Sequence, residues 1–153
     1  MNLTMALNEQ ITEDMKSAMR SGEKLKLETL RSLRAHFIEL SKRGDKKEIT
    51  PEDELAVLMT AVKKRKEAIE MYRQGGREEL AQQEEKELEI INLYLPKQVT
   101  PEEAEQVVVR LIAQTGASSA KDFGKVMPLA MKELKGKIDG KVVQELVKAK
   151  LEG

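Results

Sequence analysis

The chain has 153 residues, no cysteine, and 27 basic side chains balanced by 27 acidic ones. That length suits one domain or two small ones and buries roughly 70% of the unfolded surface without covalent staples. The charge balance excludes a global field that steers the molecule to nucleic acid or membrane, so any electrostatic function has to come from local asymmetry.

The apolar residues recur at helical spacing from the start. Leu7, Ile11, Met15 and Ala18 or Met19 predict a first helix stopped by Gly22. Leu27, Leu30, Leu33, Phe37 and Leu40 predict a second, ending at the polar run Lys42-Arg43-Gly44-Asp45. The third starts at Thr50-Pro51-Glu52-Asp53, where Thr50 caps, Pro51 loses no needed N–H, and the acids face the positive end of the dipole. Its stripe is Leu55, Leu58, Met59, Val62, Ile69 and Tyr72, closed by Gly75-Gly76. A fourth helix is expected from about Arg77 to Tyr94, with Leu80, Leu88, Ile91 and Leu95 on one face and Glu84, Glu85, Glu87 and Glu89 loading the rest.

Leu95-Pro96-Lys97-Gln98-Val99-Thr100-Pro101 is the strongest boundary. Two prolines five residues apart end one helix and start another. The expected domains are therefore 1–95, with about four helices, and 96–153, with three. Thr100-Pro101-Glu102-Glu103 is a capping box for the fifth helix, which carries Ala104, Val107, Val108, Leu111 and Ile112 to Thr115-Gly116. Ser118 or Ser119 caps a sixth, lined by Phe123, Val126, Met127, Ala130, Met131 and Leu134, with Pro128 expected to bend or split it. Gly136 ends that helix. Asp139 caps a seventh, lined by Val142, Val143, Leu146, Val147 and Leu151. Strand signals are nearly absent, so the fold class is all-α.

Little catalytic chemistry is visible. Asp122-Phe123-Gly124 matches a kinase triplet without the glycine-rich and catalytic loops that give it meaning. Gly124-Lys125 is followed by Val126, not Ser or Thr, and Ser119 stands where a phosphate loop needs its first glycine. His36, the only histidine, has no Ser or Asp pattern around it and reads as a helix-surface or interface residue. With one histidine and no cysteine, no metal site, no cofactor and no catalytic residue is assigned. The Glu84–Glu89 run reads as a solvated helix face. Apolar runs such as Leu55 to Met59 fall far short of the ~20 residues of a membrane span. The N-terminus carries Glu9, Glu13 and Asp14 where a signal peptide has basic and then apolar residues. A cytoplasmic location without a membrane partner is expected.

The lysines near the C-terminus carry more. Between Gly116 and Lys150 stand eight: Lys121, Lys125, Lys132, Lys135, Lys137, Lys141, Lys148 and Lys150. The acids there are Asp122, Glu133, Asp139 and Glu145, which leaves the segment at +4 inside a neutral chain. Lys121 and Lys125 are one helical turn apart, and Lys135, Lys137 and Lys141 bracket the turn Gly136-Lys137-Ile138-Asp139-Gly140. That turn leads into a helix N-terminus, where charge and unpaired amides together suit a phosphate backbone. Lysines are also ordinary on any helix surface, and the residues alone leave both readings open.

The same residues resemble the YqeY family. The likeness lies in Tyr94-Leu95-Pro96, Thr115-Gly116-Ala117-Ser118, Lys121-Asp122-Phe123-Gly124-Lys125-Val126-Met127 and Lys135-Gly136-Lys137-Ile138-Asp139-Gly140-Lys141, in that order. Arg31-Ser32-Leu33, Lys64-Arg65-Lys66 and Gly76-Arg77 fall where the family has similar groups. That family is similar in its C-terminal half to the tail of GatB, a subunit of the amidotransferase that amidates misacylated Glu-tRNA or Asp-tRNA. A related domain is attached to some glutaminyl-tRNA synthetases and aids tRNA binding.

The resemblance implies a GatB-tail-like second domain and tRNA contact through Lys121, Lys125, Lys132, Lys135, Lys137 and Lys141. It gives Tyr94, Pro96, Gly116, Asp122, Gly124, Gly136, Asp139 and Gly140 as structural motif positions. An aminoacyl-tRNA synthetase or amidotransferase is the further partner it suggests, and DNA is not expected. Two positions depart from the family. Lys137 stands where the family often has arginine and loses the bidentate fork, and Ile138 replaces a small residue.

The family label also brings in an amidotransferase-type carbon–nitrogen ligase using glutamine as amido donor. Amidotransfer needs ATP activation of a carboxylate, an ammonia source and normally Mg²⁺, and GatB keeps that chemistry in a larger domain with no counterpart here. A third reading is a protein-docking module built on the N-terminal helices.

Overall fold

A computed structural model of the chain describes residues 6–42 and 49–152. Among the described residues there are seven α-helices and no strand, which is the all-α class the spacing predicts. They are α1 (Leu7–Ser21), α2 (Lys24–Ser41), α3 (Pro51–Gln74), α4 (Glu78–Asn92), α5 (Pro101–Thr115), α6 (Phe123–Leu134) and α7 (Gly140–Glu152), with a 3-10 turn at Ala120–Asp122. Lys42 is the C-cap of α2, and Arg43-Gly44-Asp45 of the expected stop lie outside the described residues. The contacts divide the chain into two compact units, Met1–Leu95 and Pro96–Gly153.

The first unit is built around Ile11 from α1, Leu30, Leu33 and Phe37 from α2, Leu58, Ala61 and Val62 from α3, and Ile91 and Leu95 at the end of α4. Its caps follow from residue chemistry. The Thr50 hydroxyl accepts the Asp53 N–H at 3.1 Å, and the Asp53 carboxylate accepts the Thr50 N–H at 2.9 Å, so two orphan amides of α3 are met reciprocally. Gly22 turns the chain out of α1 at φ 76°, in the left-handed region open to glycine.

α1 has no such device, because its N-cap Ala6 carries no side-chain oxygen. The missing acceptor comes from elsewhere. Glu54, in the first turn of α3 and buried, accepts the Asn8 N–H through Oε2 at 2.9 Å. One carboxylate thus fixes where α1 begins against α3. At the other end of the unit the Tyr94 hydroxyl donates to Asp14 Oδ2 at 2.5 Å and ties the chain after α4 to α1. Burial, with the Asp14 carboxylate beside it, pushes the Tyr94 hydroxyl far above its ordinary value of 10.0.

The first unit departs from the sequence reading in two places. Leu80 is exposed, and Ala81 takes the buried position in its stead. A small side chain is buried where a larger apolar one was expected. The glutamate run is not wholly a solvated face. Glu87 is largely buried and pairs with Arg65 at 3.4 Å, while Glu85 meets Arg73. Burial first, then the neighbouring Glu84, raises Glu87 above the usual carboxylate range against the pull of Arg65.

The second unit wraps α5, α6 and α7 around Ala104, Val108, Leu111, Val126, Ala130, Leu134, Val143, Val147 and Leu151. Thr100 and Glu103 form the expected capping box at 3.1 and 3.0 Å. Ser119 caps the 3-10 turn, not an α-helix, and α6 follows from Phe123. Pro128 neither splits nor ends α6, which runs through it. It stands sixth of the twelve residues of α6, where a proline removes the one hydrogen bond its N–H would have given to the Gly124 carbonyl, and the helix continues past it to Leu134. Ile138 packs against this core.

Glu54→Ala leaves the Asn8 amide without its acceptor and lowers unfolding stability by about 1 kcal/mol, read as a lower urea midpoint at unchanged m-value. Tyr94 has a raised folded value, so its contribution is complete below about pH 10 and is lost as pH rises beyond that. Tyr94→Phe removes this alkaline component, so the difference in urea midpoint between the two proteins starts to narrow as pH rises above about 10.

Candidate nucleic-acid interface

The turn between α6 and α7 positions half of the expected site. α6 ends at Leu134, and Gly136 takes φ 77°. The Lys137 N–H donates back to the Leu134 carbonyl at 2.9 Å. The segment after Pro96 then locks this turn in place. Gln98 Nε2 donates to the Gly136 carbonyl at 2.7 Å, and the Val99 N–H donates to the Lys137 carbonyl at 2.9 Å. Asp139 caps α7 by accepting the Lys141 N–H at 3.0 Å. Backbone polar groups are spent on holding the turn, so the Lys135, Lys137 and Lys141 side chains ride on a fixed frame.

The other half sits at the opposite end of α6. Asp122 Oδ2 accepts the Ser118 and Ser119 amides at 2.8 and 3.4 Å, and Ser119 Oγ accepts the Lys121 N–H at 3.4 Å. The Ser118 amide above all, helped by Ser119 and Lys125, holds the Asp122 carboxyl below its usual range. Lys121 lies on the 3-10 turn and Lys125 on α6 proper, so the single helical face expected for them is broken by a change of helix type.

Lys125 and Lys132, seven residues apart, do share the exposed face of α6, with Leu129 between them 42% exposed. Along an α-helix that spacing is about 10 Å. The structure therefore arranges the six lysines as one group at the α6–α7 turn, one group at the 3-10 turn, and Lys132 joining them along α6. All are exposed except Lys137, which is half-buried.

Three of the four acids of this segment are already engaged. Asp122 serves two amides, Asp139 serves one, and Glu133 pairs with Arg110 of α5. Among the described residues, Lys121, Lys132, Lys135, Lys137 and Lys141 have no acidic partner within 4.0 Å. Lys125 pairs with Asp122 at 3.4 Å, but its side chain is 70% exposed. Such a pair contributes about 0–1 kcal/mol and yields readily to a competing phosphate.

Lys150 is different, being held by Glu105 at 2.6 Å. The expected amide contribution at the α7 N-terminus is corrected. Asp139 occupies the Lys141 amide, and the Val142 and Val143 amides donate to the Asp139 carbonyl at 3.0 and 3.3 Å, so the positive charge displayed there is that of the side chains.

Most of the remaining expected positions hold local structure, and Gly124 is the exception. Gly116 ends α5 at φ 72°, Gly140 starts α7 with Met131 Cε 3.4 Å from where its Cβ would stand, and Gly124 has open space around it. Tyr94 makes the Asp14 bond, and the Pro96 carbonyl accepts from Gln98 at 2.9 Å. His36 is exposed on α2, 4.0 Å from Glu39, beside a cleft between α2 and α3. No group of three or more His, Asp or Glu side chains is placed to share a cation among the described residues, and no helix there is long and apolar enough to cross a membrane. Lys148 was counted in the charge sum but not picked out for the site. It lines a groove with Ala120 and Phe123, next to Lys121 in the chain, a neighbourhood that only the packing of α7 on the 3-10 turn creates.

Fold and surface together define a two-unit helical protein whose second unit displays lysines on α6, α7 and the 3-10 turn before them. Residues 8–151 match the family model described as Yqey-like protein, and the chain belongs to that family. It is 32% identical over 148 residues to altered inheritance of mitochondria protein 41, mitochondrial, of Pyrenophora tritici-repentis, across 92% of this chain and 81% of that protein. It is 33% identical over 87 residues to an uncharacterized protein of Schizosaccharomyces pombe, across 57% of this chain and 70% of that one.

The lysine turn depends on its glycine. A Cβ at φ 77° costs about 1–2 kcal/mol. A core without a fully buried aromatic in a unit of this size supplies only about 3–5 kcal/mol. Gly136→Ala is expected to remove a large share of the second unit's stability, seen as early hydrogen exchange across α6 and α7.

Proposed function

We propose that this protein binds tRNA through the lysines of its second unit and acts as an accessory in aminoacyl-tRNA metabolism, without chemistry of its own. The observation that carries the reading is a set of exposed lysines without acidic partners, beside two aspartates committed to backbone amides and a glutamate committed to Arg110, in a chain of zero net charge. A repeating polyanion fits this arrangement better than a small anion, because lysines spread along the whole of α6 cannot converge on one phosphate. The family resemblance selects tRNA among polyanions, and a synthetase or amidotransferase as the enzyme it serves. The reading places the protein in the cytoplasm. The Pyrenophora relative's printed name places that protein in mitochondria.

The test is a titration of tRNA against the full chain at several salt concentrations. Lys121→Ala/Lys125→Ala/Lys137→Ala, at exposed or half-exposed positions, should keep the fold by circular dichroism. It should weaken binding and reduce the slope of log affinity against log salt by about two to three. An unchanged affinity and slope in the folded triple variant would refute the assignment.

A further inference from the structure

The groove beside Lys121 differs in character from the rest of the basic surface. It measures about 250 Å³ and is lined by Ala120, Phe123, Gln144, Lys148, Leu151 and Glu152. Phe123 follows the 3-10 turn, half-buried, with part of its ring packed on the core of the second unit. Gln144, Lys148 and Glu152 stand four residues apart along α7 and are exposed, so they form one polar edge facing an apolar wall. Pockets for drug-sized ligands and cofactors begin near 300 Å³. This one is too small for a dinucleotide and suits a single planar ring.

We infer that this groove receives one unstacked nucleobase of a bound RNA, stacked on Phe123, with Gln144 and Glu152 reading its edge and Lys148 holding an adjacent phosphate. Aromatic walls are where single-stranded RNA places its splayed bases, and edge recognition is done by side-chain amides and carboxylates. Glutamate when ionised only accepts hydrogen bonds, so the groove favours a base with an exocyclic amino group over uracil, whose exocyclic oxygens face it unfavourably. Phosphate attraction is supplied on the spot. Lys121 lies between Ala120 and Phe123 in the chain, Lys125 is two residues on, and Lys148 is in the wall itself. Lys121 and Lys148 have no acidic partner among the described residues. This rests on the RNA-binding reading above, and adds to charge a contact that salt does not screen.

That difference gives the test. The full chain is titrated with short oligoadenylate and oligouridylate of equal length across a salt series. Wild-type protein should prefer oligoadenylate. Phe123→Leu and Gln144→Ala should each lower that affinity roughly tenfold and erase the preference while leaving the salt slope unchanged. Lys121→Ala/Lys125→Ala/Lys137→Ala should instead flatten the slope and keep the preference. Because Phe123 also packs on the core, Gln144→Ala at its exposed position carries the decision should Phe123→Leu unfold. Equal affinity for both oligomers, or a Gln144→Ala protein that keeps the full preference, overturns the inference while a salt-dependent wild type leaves the RNA-binding reading standing. A wild type that binds neither oligomer nor tRNA overturns both.

Discussion

The lysine surface depends on one small junction, the pair of hydrogen bonds from Gln98 and Val99 to the carbonyls of Gly136 and Lys137. The two ends of that contact lie 38 residues apart, and it joins the segment entering α5 to the turn between α6 and α7. A left-handed glycine lets the turn form, and the chain that precedes α5 then clamps it. Without the clamp the turn would be an exposed loop whose lysines sample many positions and lose entropy on binding anything. With it, charge is displayed on a preorganised frame. Asp139 completes the arrangement by capping α7, so its charge, like that of Asp122, is used on backbone amides while most of the lysines stay exposed.

A parallel economy shapes the first unit. α1 has no cap of its own and borrows Glu54 from α3, while Tyr94 closes the far end against Asp14. Each bond spans a long stretch of sequence, and each replaces a local cap with a tertiary one. Such contacts make the start of a helix conditional on the packing of its neighbours. Tyr94, just before Pro96, secures the chain at the boundary through its hydroxyl.

Much of this was legible in the sequence, because capping and helical periodicity are local. Thr50-Pro51 and Thr100-Pro101 predicted two helix starts to the residue, and the all-α class followed from the spacing of apolar residues. What escaped was tertiary. Nothing adjacent to Glu54 marks it as the cap of a helix 46 residues earlier. Glu87 looked like its solvated neighbours until Arg65 was placed against it. Ala81 was passed over for Leu80, since size suggests burial, yet the smaller side chain is the buried one. In the lysine region the residue types were visible. The cost of the α7 cap, an amide already committed to Asp139, was not. The groove at Phe123 was invisible for the same reason, because Lys148 joins Lys121 only when α7 folds back on the 3-10 turn.

The central claim is that the second unit meets RNA with its side chains. The most direct measurement is ultraviolet crosslinking of the full-length protein to RNA in cells, with the crosslinked peptides and the attached RNA both sequenced. The account predicts tRNA attached to peptides spanning residues 117–148. Crosslinks confined to the first unit, or recovery of the protein with no RNA attached, would contradict it.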